Sequence, residues 1–249
     1  MGNPTHRVKE FGHVISWLNL ARFEGQGLLD KEGNLYLHYP PMIRLGLPKL
    51  TLKRSYKHWT PKYIVDRIRL MIWYQTHPDS PWLTPAAIEV IDSLLKPSDR
   101  YLEWGSGRST AWFAKRCKEV ISVESSPEWF QRVSQTIAGM NNVSLRLCPT
   151  KEEYLGVGLS LPDESVDVVL VDGQYRDECA EISIPKLRRG GLLIIDNVHW
   201  YLPSNSKSPN AIGSRYATPV WERVGKQIES WRKIWLTSGV DDTSIWIRP

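Results

Sequence analysis

The sequence predicts an α/β fold: a doubly wound, mostly parallel sheet of seven strands ending in an antiparallel hairpin, preceded by an N-terminal helical and loop extension. Three observations predict it. From Arg100 onward, short apolar runs alternate with helical segments. The central runs, residues 166–171 and 192–195, are apolar almost throughout, as strands covered on both faces must be. Gly-containing turns follow the strand ends, and right-handed crossovers between parallel strands then give a doubly wound sheet.

The elements are taken in chain order. Residues 1–23 read as a surface helix or arm, and residues 24–62, dense in Gly, Pro and aromatics, as loops and short extended pieces. Tyr63, Ile64, Ile68, Met71 and Ile72 carry helical spacing over 62–76, with Pro78 as a stop. Thr84 before Pro85 opens a second helix, which ends before Pro97. Strands are expected at 101–104, 120–124, 143–147, 166–171 and 192–195. The intervening helices are expected at 109–117, 126–139, 151–155 and 177–188. Gly190-Gly191 should turn the chain into the fifth strand. Residues 202–217, rich in Ser, Asn, Pro and Gly, read as a mobile loop. A helix at 221–230 and two strands, 231–236 and 243–247, complete the chain.

The chain has 249 residues, 41% hydrophobic and 24% charged, enough for one large domain or one domain plus an appendage. No run approaches eighteen apolar residues, so no transmembrane helix is expected. Cys117, Cys148 and Cys179 form no disulfide framework and no metal-finger spacing, which fits a reducing, cytoplasmic setting. The net charge of +5 is uneven. Residues 1–84 hold 12 Lys and Arg against 6 Asp and Glu, and the remainder 20 against 21. We therefore divide the chain into a basic, aromatic-rich extension, 1–83, expected to gate substrate, and a near-neutral domain, 84–249.

The chemistry concentrates at strand ends. Glu103-Trp104-Gly105-Ser106-Gly107 lies at a strand-to-helix junction, where glycines allow close backbone approach to a ligand. Thr110 stands where a dinucleotide-binding turn would want its third Gly, and Glu103 suits a cationic amino group better than a pyrophosphate. Glu124 ends the second strand nineteen residues after Gly105, where a carboxylate can accept from ribose hydroxyls. Ser126 serves as the following helix cap, which leaves Glu124 free. Taken together, Glu103-x-Gly105-x-Gly107, Glu124, Val171-Asp172-Gly173 and Gly190-Gly191-Leu192 resemble a class I S-adenosylmethionine-dependent methyltransferase over residues 84–249.

The resemblance implies a Rossmann-like sheet and S-adenosylmethionine as cofactor. It implies that Glu103, Gly105, Ser106 and Gly107 hold the methionine part and Glu124 the ribose, with Asp172 beside them. Ser109 replaces a frequent third Gly, and Cys148-Pro149-Thr150 stands where an acidic adenine contact is often found, so the adenine contact is unassigned. Asp172, Asp196 and Asn197 resemble the metal triad of catechol and caffeoyl-CoA O-methyltransferases, oxygen donors suited to Mg²⁺ or another divalent cation. Tyr175 occupies the place of the Lys that the catechol enzymes carry. His199 is the other candidate for proton removal, with Asp172 beside it as a catalytic residue.

The expected activity is O-methylation of a hydroxyl on a small-molecule or sugar-like acceptor. A homodimer is compatible with it. One rival is an RNA methyltransferase using the basic arm, in which Lys49, Lys53, Arg54, Lys57 and Lys62 alternate with Tyr56 and Trp59. No RNA-binding motif accompanies them, so solvated loop charges are the favoured reading and a nucleic-acid partner is not expected. The other rival is a non-catalytic binding module. Trp82 and Trp200 are candidates for a wall of the acceptor site.

Overall fold

The computed structural model describes residues 27–29, 35–37 and 60–249. The chain divides into two compact units, Met1–Leu47 and Pro48–Pro249. In the first, strands β1 (Gly27–Leu29) and β2 (Leu35–Leu37) pair antiparallel. The expected arm at 1–23 and Lys49, Lys53, Arg54 and Lys57 lie outside the described residues.

The second unit begins with α1 (Pro61–Thr76) and α2 (Pro85–Leu94). Hydrogen bonds join the residues on either side of the expected boundary at 83/84 to other elements. The Tyr74 hydroxyl on α1 donates to the Leu83 carbonyl (2.9 Å), and the Thr84 N–H donates to Thr243 in the last strand (3.1 Å).

Seven strands then form one sheet: β3 (Arg100–Trp104), β4 (Glu119–Glu124), β5 (Val143–Leu147), β6 (Val166–Val171), β7 (Leu187–Asp196), β8 (Arg232–Thr237) and β9 (Asp242–Ile247). Their order is β5-β4-β3-β6-β7-β9-β8, parallel except for β9, which runs antiparallel to both neighbours. The strand order reverses between β3 and β6, the switch point at which open α/β sheets bind ligands beyond the carboxyl ends of their strands.

The helices between strands are α3 (Arg108–Ala114), α4 (Pro127–Thr136), α5 (Lys151–Leu159), α6 (Arg176–Lys186) and α7 (Pro219–Gln227). Side-chain caps explain three starts: Ser126, Thr150 and Thr218 accept from the N–H groups of Trp129, Glu153 and Trp221. Two separate apolar clusters cover the sheet. One gathers Trp104, Tyr154, Val169, Leu193 and Trp221, the other Tyr101, Phe113, Leu170 and Ile194, so neighbouring residues of β6 and β7 serve opposite faces.

Two expectations are corrected. Leu187 and Arg188 belong to β7 rather than to the preceding helix. Gly190 (φ +77°) lies within that strand, and the β6–β7 register shifts between Val166 and Val168. Residues 202–217 are not a free loop. Ser204 N–H donates to Gly213, Ile212 N–H to His199 and Ala217 N–H to Tyr201, and buried Ser208 donates to Asp242 (2.6 Å).

Candidate active site

The first turn, between β3 and α3, is built by Glu103. Its carboxylate is fully buried and accepts from Thr110 and Ser122 (2.6 Å each) and Tyr101 (3.2 Å), with Ser109 as a further donor. Thr110 in turn accepts the Gly107 N–H (3.0 Å), so Glu103 fixes the turn through its hydroxyl partners. Ser109, a departure from a third Gly, is thereby one of the groups holding this carboxyl. Burial pushes Glu103 up to about 7, against the pull of the four hydroxyls. The carboxyl presents no exposed surface to a ligand amino group.

Gly105 (φ +97°) needs its missing side chain: a Cβ there would stand 2.6 Å from the Gly173 Cα. A Cβ on Gly173 would in turn stand 2.1 Å from the Tyr154 hydroxyl. The two turns after β3 and β6 are therefore in backbone contact. Glu124 is nearly buried and more committed than its free role implied. It accepts from the N–H and hydroxyl of Ser106 (3.2 and 2.8 Å) and the N–H groups of Ser125 and Ser126 (2.8 Å each). Glu124 thus clamps the Ser106 turn onto the end of β4, while Ser126 caps α4 as expected.

Sequence reasoning passed over two buried groups beside this turn. Arg108 Nη1 and the Tyr154 hydroxyl are buried without a hydrogen-bond partner among the described residues. The Arg108 guanidinium lies 5.1 Å from the Trp82 ring centroid, and Trp82, about half exposed, packs beside Trp129. Trp200 instead donates to the Pro209 carbonyl.

At the ends of β6 and β7 the structure brings Asp172, Asp196 and Asn197 together, and a guanidinium stands among them. Arg176 Nη2 donates to the Asp172 carboxylate (2.7 Å) and carbonyl (2.9 Å). Its Nη1 donates to the Asp196 carbonyl (2.9 Å) and Asn197 Oδ1 (3.3 Å), and its Nε to the Gly173 carbonyl (3.0 Å). All five N–H donors of the fork are used. Tyr175 and Asn197, both left-handed (φ 50° and 51°), aim these groups at one another. The Asp196 carboxyl accepts from Thr243 (2.6 Å). Burial, reinforced by the Asp172 charge, holds it well above the ordinary carboxylate range. Burial also raises Asp172, with Arg176 pulling against it.

The residues therefore do not fit the expected divalent cation. Its charge is already supplied by Arg176, and the buried Asp196 carboxyl, held by Thr243, favours its proton. Millimolar Mg²⁺ or EDTA is expected to leave the melting temperature unchanged; an EDTA-sensitive transition in a thermal scan would overturn this assignment.

His199 is fully buried. One ring nitrogen, Nε2, lies 3.1 Å from the Pro209 carbonyl, which fixes that nitrogen as the donor; the other, Nδ1, is without a partner among the described residues. Burial lowers its pKa, so the ring is neutral and serves here to hold the 202–217 segment. The carboxyl with the loosest attachment at this edge is Asp241, next to β9, whose side-chain partner among the described residues is Asn197 at 3.5 Å. Burial raises it, with the Arg67 charge pulling against it. Burial first, and then the charges of Asp196, Asp241 and Asp172, push the Tyr74 hydroxyl on α1 above its ordinary value.

The strand order, the glycine turns and the acidic strand ends define a methyltransferase fold, and comparisons with known proteins agree. Residues 102–198 match a family described as a methyltransferase domain. Over those residues the chain carries a methyltransferase domain, and its sheet has the fold of the class I methyltransferases. A candidate caffeoyl-CoA O-methyltransferase from Staphylococcus aureus aligns at 20% identity over 78% of this chain and 95% of its own, with a TM-score of 0.50. A candidate O-methyltransferase from Klebsiella pneumoniae aligns at 16% identity over 76% and 89%, TM-score 0.48. Fibrillarin from Aeropyrum pernix, solved with natively bound S-adenosyl-L-methionine, aligns at 16% over 62% and 67%, TM-score 0.43. No curated protein matches the chain. Among the described residues, no helix is long and apolar enough to cross a membrane.

Proposed function

We propose that this chain transfers the methyl group of S-adenosylmethionine to a hydroxyl of a small polar acceptor, without a divalent cation. When bound, the cofactor supplies the electrophilic methyl group. Gly105, Ser106 and Gly107 form the backbone surface against which it lies, and Arg108 takes its carboxylate, the natural partner for a buried guanidinium nitrogen that has none among the described residues. Glu124 meets the ribose by sharing oxygens now held by Ser106. Glu103 acts as a positioning residue, keeping the turn in shape through Thr110 and Ser122.

The observation that carries O-methylation is Asp241. Its carboxyl lies across the carboxyl edge from the cofactor turn, is loosely held, and has a raised proton affinity that moves it toward the range of a useful general base. It would take the acceptor's hydroxyl proton, while Asp172, locked by Arg176, keeps the switch point rigid. Three buried free cysteines suit a reducing compartment.

The test is thermal denaturation with S-adenosylhomocysteine. The wild-type chain should be stabilised by several degrees at saturating ligand. Arg108→Met should lower affinity about tenfold, the scale of one charge-assisted hydrogen bond, while its unliganded melting temperature holds. No shift in the wild type would sink the cofactor reading, and full affinity in the variant would remove Arg108 from it.

A further inference from the structure

A groove of about 1000 Å³ opens between the 202–217 segment, the β8–β9 hairpin and the start of α1, where Lys62 and Asp66 line it. Strand β8 runs parallel to β7, so its end at Thr237 lies on the same sheet edge as Asp196. The register fixes the proximity. Asp242 pairs with Thr237, and Thr243, the next residue, pairs with Asp196 and donates to its carboxyl. The groove therefore lies at the carboxyl edge of the sheet on its β7-β9-β8 side, away from the glycine turn after β3.

Its floor is preorganised. Asp242 is fully buried; burial pushes its carboxyl up, but bonds from Ser206, Ser208, Thr237 and Trp235 outweigh that and hold it below the ordinary range. The Trp235 indole N–H donates to Asp242 (2.9 Å), which locks the ring as a wall. At the rim stand Lys207 and Lys233, exposed, with no ion pair among the described residues; the Lys233 ammonium lies 5.4 Å from the Trp235 ring centroid. A third lysine, Lys62, is already paired with Asp66. Ser204 and Asn205 complete the rim with a hydroxyl and an amide.

We propose that this groove binds the methyl acceptor as a sugar phosphate. The hydroxyls and amide match a polyol, and the fixed indole face offers an apolar surface to the C–H face of a sugar ring. The two unpaired ammonium groups match a phosphate monoester as point charges. This deepens the methyltransferase reading by naming its acceptor class, but the binding is testable apart from it.

The experiment is calorimetric titration of the full chain with glucose 1-phosphate, glucose 6-phosphate, ribose 5-phosphate, glucose and inorganic phosphate, with S-adenosylhomocysteine titrated in parallel. At least one sugar phosphate should bind about tenfold more tightly than either glucose or phosphate, a difference of about 1.4 kcal/mol. Replacing both rim lysines (Lys207→Gln with Lys233→Gln) should abolish that preference while S-adenosylhomocysteine affinity is kept, which also shows the variant folds. The proposal is overturned if no sugar phosphate outcompetes glucose and phosphate, or if the double variant binds as well as wild type. Sugar phosphate binding without S-adenosylhomocysteine binding would keep the groove and remove the methyltransferase reading.

Discussion

Replacing Arg176 by Met should lower the melting temperature by roughly 6–20 °C. The change strips five N–H donors from one point. Asp172 loses its countercharge, and the carbonyls of Gly173 and Asp196 and the amide oxygen of Asn197 lose a partner. Removing one member of a fully buried ion pair costs about 3–5 kcal/mol; this pair is part-buried, its side chains 13% and 30% exposed, and the loss reaches that scale only with the further oxygens that lose a donor. For a domain of this size each kcal/mol moves the transition by about 2–4 °C. Arg176→Lys should recover only part, since one ammonium cannot span strands β6 and β7 as the planar fork does. Adding Asp172→Asn to Arg176→Met should restore several degrees by removing the orphaned charge. A melting temperature for Arg176→Met within 2 °C of wild type, roughly the scale of a surface substitution, would show that the guanidinium does not bridge the two strands.

The same residue shows what could be read in the sequence. The strands were legible because residues 166–171 and 192–195 are apolar enough to admit only a sheet covered on both faces. The capped helix start at Ser126 was also a local signal. Asp172, Asp196 and Asn197 were correctly brought to one edge, but their ion was not: whether an arginine four residues along reaches back depends on Tyr175 being left-handed, and nothing in the residue types announces that. Asp241 and the groove were missed for a related reason. They arise where a hairpin meets a loop some thirty residues earlier, as in the Ser208–Asp242 bond, and such pairings leave no periodicity. Polar composition at 202–217 read as mobility because the carbonyl and hydroxyl partners that pin it lie in other elements.

Glu103 supplies the second large effect, as a pH dependence of stability. In the unfolded chain the carboxyl titrates at its ordinary value near 4.5, whereas burial in the folded chain raises it to about 7. Between these values the folded state holds a proton that the unfolded state has released. Its contribution is therefore fully present below pH 4.5 and is lost as pH rises through 7. The difference corresponds to about 3 kcal/mol, at about 1.4 kcal/mol for each pH unit between the two values. The wild-type melting temperature should fall between pH 5 and pH 8 by an amount that Glu103→Gln removes. The substitution keeps the shape and leaves an amide oxygen for Thr110 and Ser122, whose hydroxyls can reorient. It should therefore be less stable than wild type at pH 5, where the wild-type carboxyl is protonated and matched to its donors, and at least as stable at pH 8, where wild type must bury a charge. Parallel melting curves for the two proteins across that range would show that the Glu103 carboxyl is ionised throughout, its four hydroxyl partners outweighing its burial.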